Sequence, residues 1–266
     1  MKVDTPRQHL LLIDGFNVVR RIYEAVPGPD SPQKAEGAVN ASIASFRRAL
    51  EEHEPTHVLA AFDHGGSTWR HELFPAYRAN RRPMPEPLKE ALPELFKRIV
   101  ALGVPIALIP GVEADDVIAT AFGRWKATGR KSATILSTDK DLTALVADGA
   151  RVWDHFSHHW RDEAWIQGKF GVPTRLVHDL LALTGDSADG IPGVPGVGVK
   201  TTAKWLNTYG SLEQLLAEAI TVPGKTGEAL CEHLETVRLA RQLVSFKTDF
   251  SLGLTWNALR FECRAA

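Results

Sequence analysis

The sequence predicts an α/β fold: a doubly wound, mainly parallel sheet followed by an α-helical region. Four short runs, at residues 10–13, 58–62, 104–109 and 133–136, are almost continuously apolar, as strands buried on both faces are. Amphipathic helical patterns lie between them, and this alternation is the mark of parallel strands joined by helices. Each run also leads into carboxylates just beyond its carboxyl end.

The first strand, 10–13, reaches Asp14. A helix over 39–52 follows, with Arg47 and Arg48 on its polar side. The second strand, 58–62, reaches Asp63, and a helical pattern over 88–102 comes next. The third, 104–109, passes through Pro110, Gly111 and Val112 to Glu113, Asp115 and Asp116; the fourth, 133–136, leads to Asp139 and Asp141. In an open parallel sheet, ligands sit in the crevice beyond the strand carboxyl ends, so these acids are expected to converge there. Singly, each has a plainer reading: Asp14 caps a helix starting near Asn17, and Asp115 lies in the first turn of the helix after it. Together they predict a metal centre. Two carboxylates ~4 Å apart repel by roughly 4 kcal/mol at an effective dielectric of about 20, and divalent cations would offset that repulsion. An all-oxygen donor set without His or Cys favours Mg²⁺ or Mn²⁺ over zinc.

The chain has 266 residues, 44% hydrophobic and 24% charged, enough for a full core in one large domain or a core with an appendage, and this excludes general disorder. No apolar run approaches the roughly 20 residues that span a bilayer, so no membrane partner is expected. The first twelve residues carry Asp4 and Arg7 and show no small-residue cleavage site, so no signal peptide is read and a cytoplasmic location is expected. Cys231 and Cys263 form no C-x-x-C pair, which argues against a zinc knuckle or a disulfide framework. A formal net charge of −1 hides segregation, because basic residues gather over 70–98 and again at Lys200 and Lys204.

Asp186 and Asp189 are three apart, which places both on one face if they lie in a helical turn, where they would complete the acidic cluster. Gly193, Gly196 and Gly198 then precede a helix expected to open near Lys200 and Thr201. Such a turn lets backbone N–H groups approach a phosphate at a helix N-terminus, with Lys200 and Lys204 adding charge; a tight inter-helix turn explains the glycines equally well. The spacing is not that of a P-loop. Between Phe74 and Pro85, Tyr77 is read as able to stack on an unpaired base, worth roughly 1–3 kcal/mol, with Arg78 and Arg81 clamping phosphates; the other reading is a solvated charged linker. His155, His158 and His159 alternate with aromatic residues and are read as exposed residues of a strand or hairpin rather than a metal site, while Trp125 and Trp205 are read as packing residues.

In combination, the motifs LLIDGFN, AFD, AYRANR, GVEADDVIAT, STDKDL and GDSADGIPGVPGVGVKT resemble the bacterial 5′-to-3′ exonuclease or flap endonuclease family, from about residue 10 to at least 216. The resemblance is to the nuclease domain of DNA polymerase I and to the stand-alone exonuclease IX type, with no polymerase following. It implies a PIN-like nuclease core over 1–170, with a helical arch at about 78–102 through which a flap threads, and a helical DNA-binding region over 171–266. That region would carry a helix–three-turn–helix at about 180–210. It implies Asp14, Asp63, Glu113 and Asp115 as ligands of a first metal, Asp141, Asp186 and Asp189 at a second, and Asp116 and Asp139 between them. Two Mg²⁺ ions, with Mn²⁺ as a substitute, would clamp the scissile phosphate for in-line attack by water, leaving a 5′-phosphate and a 3′-hydroxyl. Tyr77, Arg78 and Arg81 would guide a 5′ single strand, and Gly193, Gly196, Gly198, Lys200 and Thr201 would grip duplex. One K⁺ would sit on the backbone carbonyls of Ile191, Val194 and Val197. The partner would be DNA with a 5′ flap, overhang or nick, bound by a monomer. Two departures are an Arg at position 78, where the family often has Lys, and Gly190, where Asn often follows the last acid.

The enzyme alternative is a PIN- or NYN-type ribonuclease, whose opening strand IDGFN also resembles, though those domains lack the Gly-Pro-Gly turn. A haloacid-dehalogenase-like phosphatase would need an acid two residues after Asp14, where Phe16 stands. The non-enzyme alternative is a non-catalytic DNA-junction binder, against which the acids on every strand argue.

Overall fold

A computed structural model describes residues 8–130 and 132–262. The leader reading at the extreme N-terminus, with Asp4 and Arg7, and the position of Cys263 lie outside the described residues. The first half runs β1 (His9–Asp14), α1 (Gly15–Ala25), α2 (Pro32–His53), β2 (His57–Phe62), α3 (Trp69–Leu73), α4 (Glu86–Ala101), β3 (Ile106–Leu108), α5 (Ala114–Ala127) and β4 (Ser132–Leu136). A 3₁₀ helix (Asp141–Asp148), β5 (Arg151–Asp154) and β6 (His159–Trp160) follow. The rest is helical: α6 (Glu163–Phe170), α7 (Val177–Thr184), α8 (Val199–Tyr209), α9 (Leu212–Ala217), α10 (Lys225–Glu232) and α11 (Leu234–Val244).

The sheet order is β3-β2-β1-β4-β5-β6, parallel throughout except for β6, which returns antiparallel to β5. The chain builds outward from β1 to β2 and β3, then crosses back to place β4 on the other side of β1. That reversal opens a crevice beyond the carboxyl ends of β1 and β4. Strand periodicity of two divides the packing. Leu11, Ile13, Val58, Ala60 and Phe62 face α1, α2 and α4, where Val19, Phe46 and Leu95 meet them. Leu10, Leu12, Leu59, Ala133 and Ile135 face α5, with Val117, Ile118 and Trp125. A third core fills the helical region with Leu180, Leu183, Leu206, Leu215 and Val237; Trp205 packs there and Trp125 in the sheet core, as the sequence suggested.

The stretch read as a helical arch contains one helix, α4, whose Leu88, Leu95 and Ile99 are fully buried in the core shared with α2, and two other expectations change. Residues spaced seven and four apart share a helical face, so this stripe draws α4 down onto the sheet layer. Asp186 and Asp189 are not on a helical turn: α7 stops at Thr184, and residues 186–191 form a tight turn closed by paired backbone bonds between Asp186 and Ile191. The hairpin of β5 and β6 exists, but His155 is buried beneath it and only His158 is well exposed. After α11 the chain returns to the sheet: Val58 N donates to Leu259 O at 2.9 Å and Phe261 N to Thr56 O at 2.9 Å. Among the described residues, no helix is long and apolar enough to cross a membrane.

Candidate metal centre and nucleic-acid surface

Asp14 ends β1 and caps α1, Asp63 follows β2, Glu113 caps α5 with Asp115 in its first turn, and Asp139 and Asp141 follow β4. Parallel pairing thus brings acids from four loops to one edge. Asp14 caps α1 and also faces the acidic crevice. Its Oδ1 accepts from Asn17 N at 3.2 Å and its Oδ2 from Ser137 Oγ at 2.7 Å, while the carboxylate faces a cavity of about 230 Å³ also lined by Asp63, Asp115 and Asp139. Burial, together with the charges of Asp139 and Asp63, pushes its carboxyl up from 3.8 to about 7. Burial likewise raises Asp115, against which the charges of Asp139, Asp14, Asp63 and Asp141 all act. Asp141 is raised by burial and by Asp139, with Lys140 3.9 Å away opposing, and its Oδ1 is buried without a hydrogen-bond partner. Asp63 accepts from Ala114 N at 2.8 Å and lies 3.7 Å from Arg78. Asp139 Oδ1 accepts from Asp141 N at 3.0 Å.

Four of the expected ligands are occupied by protein cations. Asp116 is fully buried: its two oxygens accept from Trp69 Nε1, Arg70 Nη1 and Nη2, Glu113 N and Lys247 N at 2.9–3.3 Å. No lone pair remains for an ion, so Asp116 is a structural anion and is corrected out of the ligand set. Glu113 accepts from Thr68 Oγ1 at 3.0 Å and from the Tyr77 hydroxyl at 3.0 Å, and pairs with Arg78 Nη1 at 3.1 Å. Asp189 takes a two-pronged contact from Arg78 at 2.8 and 3.1 Å and a bond from the Tyr77 hydroxyl at 3.1 Å. Although burial opposes it, Arg78, Arg81 and Tyr77 hold the Asp189 carboxyl below its ordinary value. Asp186 accepts from Lys140 Nζ at 2.5 Å. Among the described residues, no group of three or more His, Cys, Asp or Glu side chains has the arrangement of a finished ion site. The centre is therefore two sets of anions: Asp14, Asp63, Asp115, Asp139 and Asp141, mostly without close cations, and a rim satisfied by Arg70, Arg78 and Lys140.

Tyr77 also departs from its expected role. Its ring is buried in the core of the helical region, so it has no free face for a base, and burial with the neighbouring Glu113 charge keeps its phenol protonated. Arg78, at φ 55°, adopts a left-handed backbone rare for a non-glycine residue, and its N–H donates to Asp189 O at 2.8 Å. Arg81 and Arg20 remain beside the acids, and a second cavity of about 470 Å³ continues from them past Phe16, Gly65 and Met84.

The glycine turn separates into two functions. At Gly193, a Cβ would lie 2.3 Å from the Thr184 carbonyl carbon, so this glycine lets two backbones touch. Gly196 (φ 74°) and Gly198 have open space around them; Gly198 caps α8 without a side chain, and Lys200 and Lys204 are exposed at that end while Thr201 is half-buried. The first-turn N–H groups of α8 are thus directed outward beside two cations.

Residues 9–171 match the model of the 5′-3′ exonuclease N-terminal resolvase-like domain, and residues 172–265 that of the 5′-3′ exonuclease C-terminal SAM fold. The chain belongs to the 5′-3′ exonuclease family. It is 37% identical over 255 residues to a protein named flap endonuclease Xni from Vibrio campbellii, covering 95% of this chain and 96% of that one. A Vibrio cholerae protein of the same name is 36% identical over 261 residues, covering 97% and 98%. In fold the chain is similar to bacteriophage T5 5′-exonuclease with bound zinc (TM-score 0.76, 21% identity, 89% of each chain). It is also similar to a bacteriophage T5 flap endonuclease variant in a pseudo-enzyme-product complex with DNA and metal ions (TM-score 0.73, 22% identity, 89% of each chain).

Sequence reasoning missed the residues that support this family's acids. Ser137 and Asn17 orient Asp14 and the loop after β4; Thr68 orients Glu113; Arg70 and Lys140 neutralise Asp116 and Asp186. Ser137 and Asn17 stand inside motifs quoted above, so proximity in sequence was a signal. Arg70 gave none, because its partner lies 46 positions away.

Proposed function

We propose that this protein is a divalent-metal-dependent, structure-specific 5′ nuclease that hydrolyses DNA phosphodiesters at a 5′ flap, overhang or nick. The observation that carries the reading is the set Asp14, Asp63, Asp115 and Asp139, delivered by the ends of four strands to one cavity, with the charge of Asp141 also acting on Asp115 and too few cations to balance them. The names of the relatives support it. The donor set fits Mg²⁺ or Mn²⁺: every donor is a carboxylate oxygen, and Asp141 Oδ1 is buried with no partner. These five acids, with Asp186 at the edge, would hold two cations. When bound, two such ions supply Lewis-acid stabilisation of the attacking and leaving oxygens. The chain's own residues do the rest. Ser137 and Asn17 fix Asp14, and Glu113 and Asp189 hold Arg78 at the mouth. Arg81 and Arg20 offer donors to an entering phosphate. The end of α8, with Gly196, Gly198, Lys200 and Thr201, grips duplex backbone independently of sequence. A K⁺ ion at the carbonyls of Ile191, Val194 and Val197 belongs to the same reading. The carbonyls of Ile191 and Val194 already accept once, from Asp186 N and Val197 N, and each keeps a second lone pair.

The test is cleavage of an end-labelled 5′-flap DNA, with a single-stranded RNA of matched length alongside. Incision of the flap should require Mg²⁺ or Mn²⁺ and vanish in EDTA. Asp139→Ala should lose more than the roughly 10–100-fold that removing even an outer partner of a metal site costs, with junction binding retained. Metal-independent incision, wild-type rates in the variant, or preference for the RNA would overturn the proposal.

A further inference from the structure

The Tyr77 hydroxyl touches an acid from each half of the chain, Glu113 at 3.0 Å and Asp189 at 3.1 Å, and Arg78 pairs with the same two. The tyrosine ring, meanwhile, is fixed in the core built by the helical region, and His71 packs against its edge. The two acids stand next to others that the cavity needs: Glu113 caps the helix whose first turn carries Asp115, and Asp189 shares the closed turn 186–191 with Asp186. The same turn meets the chain on either side of Tyr77, since Arg78 N donates to Asp189 O at 2.8 Å and a Cβ on Gly190 would come within 3.3 Å of Ala76 O. A hydroxyl carries one proton, so two acceptors this close share it, and both carboxylates are drawn to a single point.

Resting on the nuclease reading above, we infer that Tyr77 is a positioning residue: its hydroxyl sets the spacing between the start of α5 and the 186–191 turn, and so the spacing of the acids Asp115 and Asp186 across which cations are held. Base stacking is not its role. The two roles make opposite demands on the side chain. Stacking needs the ring face and is indifferent to the hydroxyl, so phenylalanine would serve as well. Positioning needs the hydroxyl, and phenylalanine would keep the core packing while releasing the tie.

The experiment is Tyr77→Phe on the full chain, measured by calorimetric titration with Mn²⁺ in the absence of DNA, alongside thermal unfolding in EDTA. Tyr77→Leu, which removes the ring, is the control for lost packing. The expected result is a Mn²⁺ affinity weaker by roughly tenfold in Tyr77→Phe, the scale set by one hydrogen bond to a charged group, with a melting temperature close to wild type and well above that of Tyr77→Leu. Wild-type Mn²⁺ affinity in Tyr77→Phe would overturn the inference. So would a melting temperature that falls to the level of Tyr77→Leu, because the effect would then be one of packing. The titration contains no substrate, so the two readings fail separately. A wild-type protein that binds Mn²⁺ and leaves flap DNA uncut sinks the nuclease reading alone; one that cuts flaps while Tyr77→Phe binds Mn²⁺ normally sinks only this one.

Discussion

Asp115 and Asp116 are neighbours on the first turn of one helix, and they have opposite fates. Asp116 turns inward to a fully buried pairing with Arg70, reinforced by Trp69 and two backbone N–H groups. Asp115 turns to the cavity, where Asp139, Asp14, Asp63 and Asp141 add to the effect of burial in raising its carboxyl and it forms no salt bridge among the described residues. The same contrast divides the whole cluster: Asp116, Glu113, Asp189 and Asp186 are matched by Arg70, Arg78 and Lys140, while Asp63 and Asp141 have only longer contacts, to Arg78 at 3.7 Å and Lys140 at 3.9 Å, and Asp14, Asp115 and Asp139 form no salt bridge among the described residues. Asp116 is closed to an external cation because the buried Arg70 has already saturated it, whereas the partly exposed Lys140 is free to leave Asp186.

The largest effect that can break this comparison is on folding. Asp116→Ala leaves the buried Arg70 guanidinium with only its longer contact to Glu113, 3.4 Å, and should cost up to roughly 3–5 kcal/mol. At roughly 2–4 °C per kcal/mol for a chain of this size, the melting temperature should fall by roughly 6–20 °C. A shift of only a degree or two would show that Asp116 is not the structural member of the pair. A smaller effect concerns the nucleic-acid surface. Lys200→Ala, at the exposed start of α8, should weaken binding to nicked and flapped duplex alike and lower the slope of log affinity against log salt by about 1. An unchanged slope would remove the end of α8 from the phosphate contacts.

The smallest effect lies far from the cavity acids. Burial first, and then nearby charges, lower His53 and His155 from 6.5 to about 4. Their folded values lie below their unfolded ones, so in that interval the unfolded chain takes up protons first. The stability from keeping them neutral is whole above about pH 6.5 and declines as pH falls toward 4. Replacing His155 with an apolar residue of similar size should flatten that part of the pH–stability curve. A curve of unchanged slope would show that His155 already carries its proton when folded.

The sheet and its acidic edge were legible because they rest on local signals: apolar runs of strand length, helical periodicity between them, and a carboxylate at each strand end. The start of α8 was legible from Gly198 and Lys200 for the same reason. What escaped was pairing across distance. Arg70 reads as one more cation in a basic segment until Asp116, 46 residues on, and the Leu243 carbonyl, 173 residues on, close around it. Tyr77 reads as a surface aromatic among arginines until the helical region supplies a core for its ring. Gly193 reads as a phosphate-contact glycine, with no hint of the close approach of the Thr184 backbone. In α4, the spacing of Leu88, Leu95 and Ile99 carried the signal for a packed helix, and the expectation of an arch came from resemblance instead.

The central claim is that Asp115 and its cavity neighbours are anions waiting for divalent cations, and Asp115→Asn tests it most directly. The measurement is the melting temperature of wild type and variant, each in EDTA and in saturating Mg²⁺. Without metal, removing one repelling charge should make the variant the more stable of the two. With Mg²⁺, wild type should gain more, because an ion that binds only the folded state stabilises it by an amount that rises with the logarithm of its affinity, so the difference should narrow or reverse. A wild-type melting temperature indifferent to Mg²⁺, or a variant less stable than wild type in EDTA, would contradict the account.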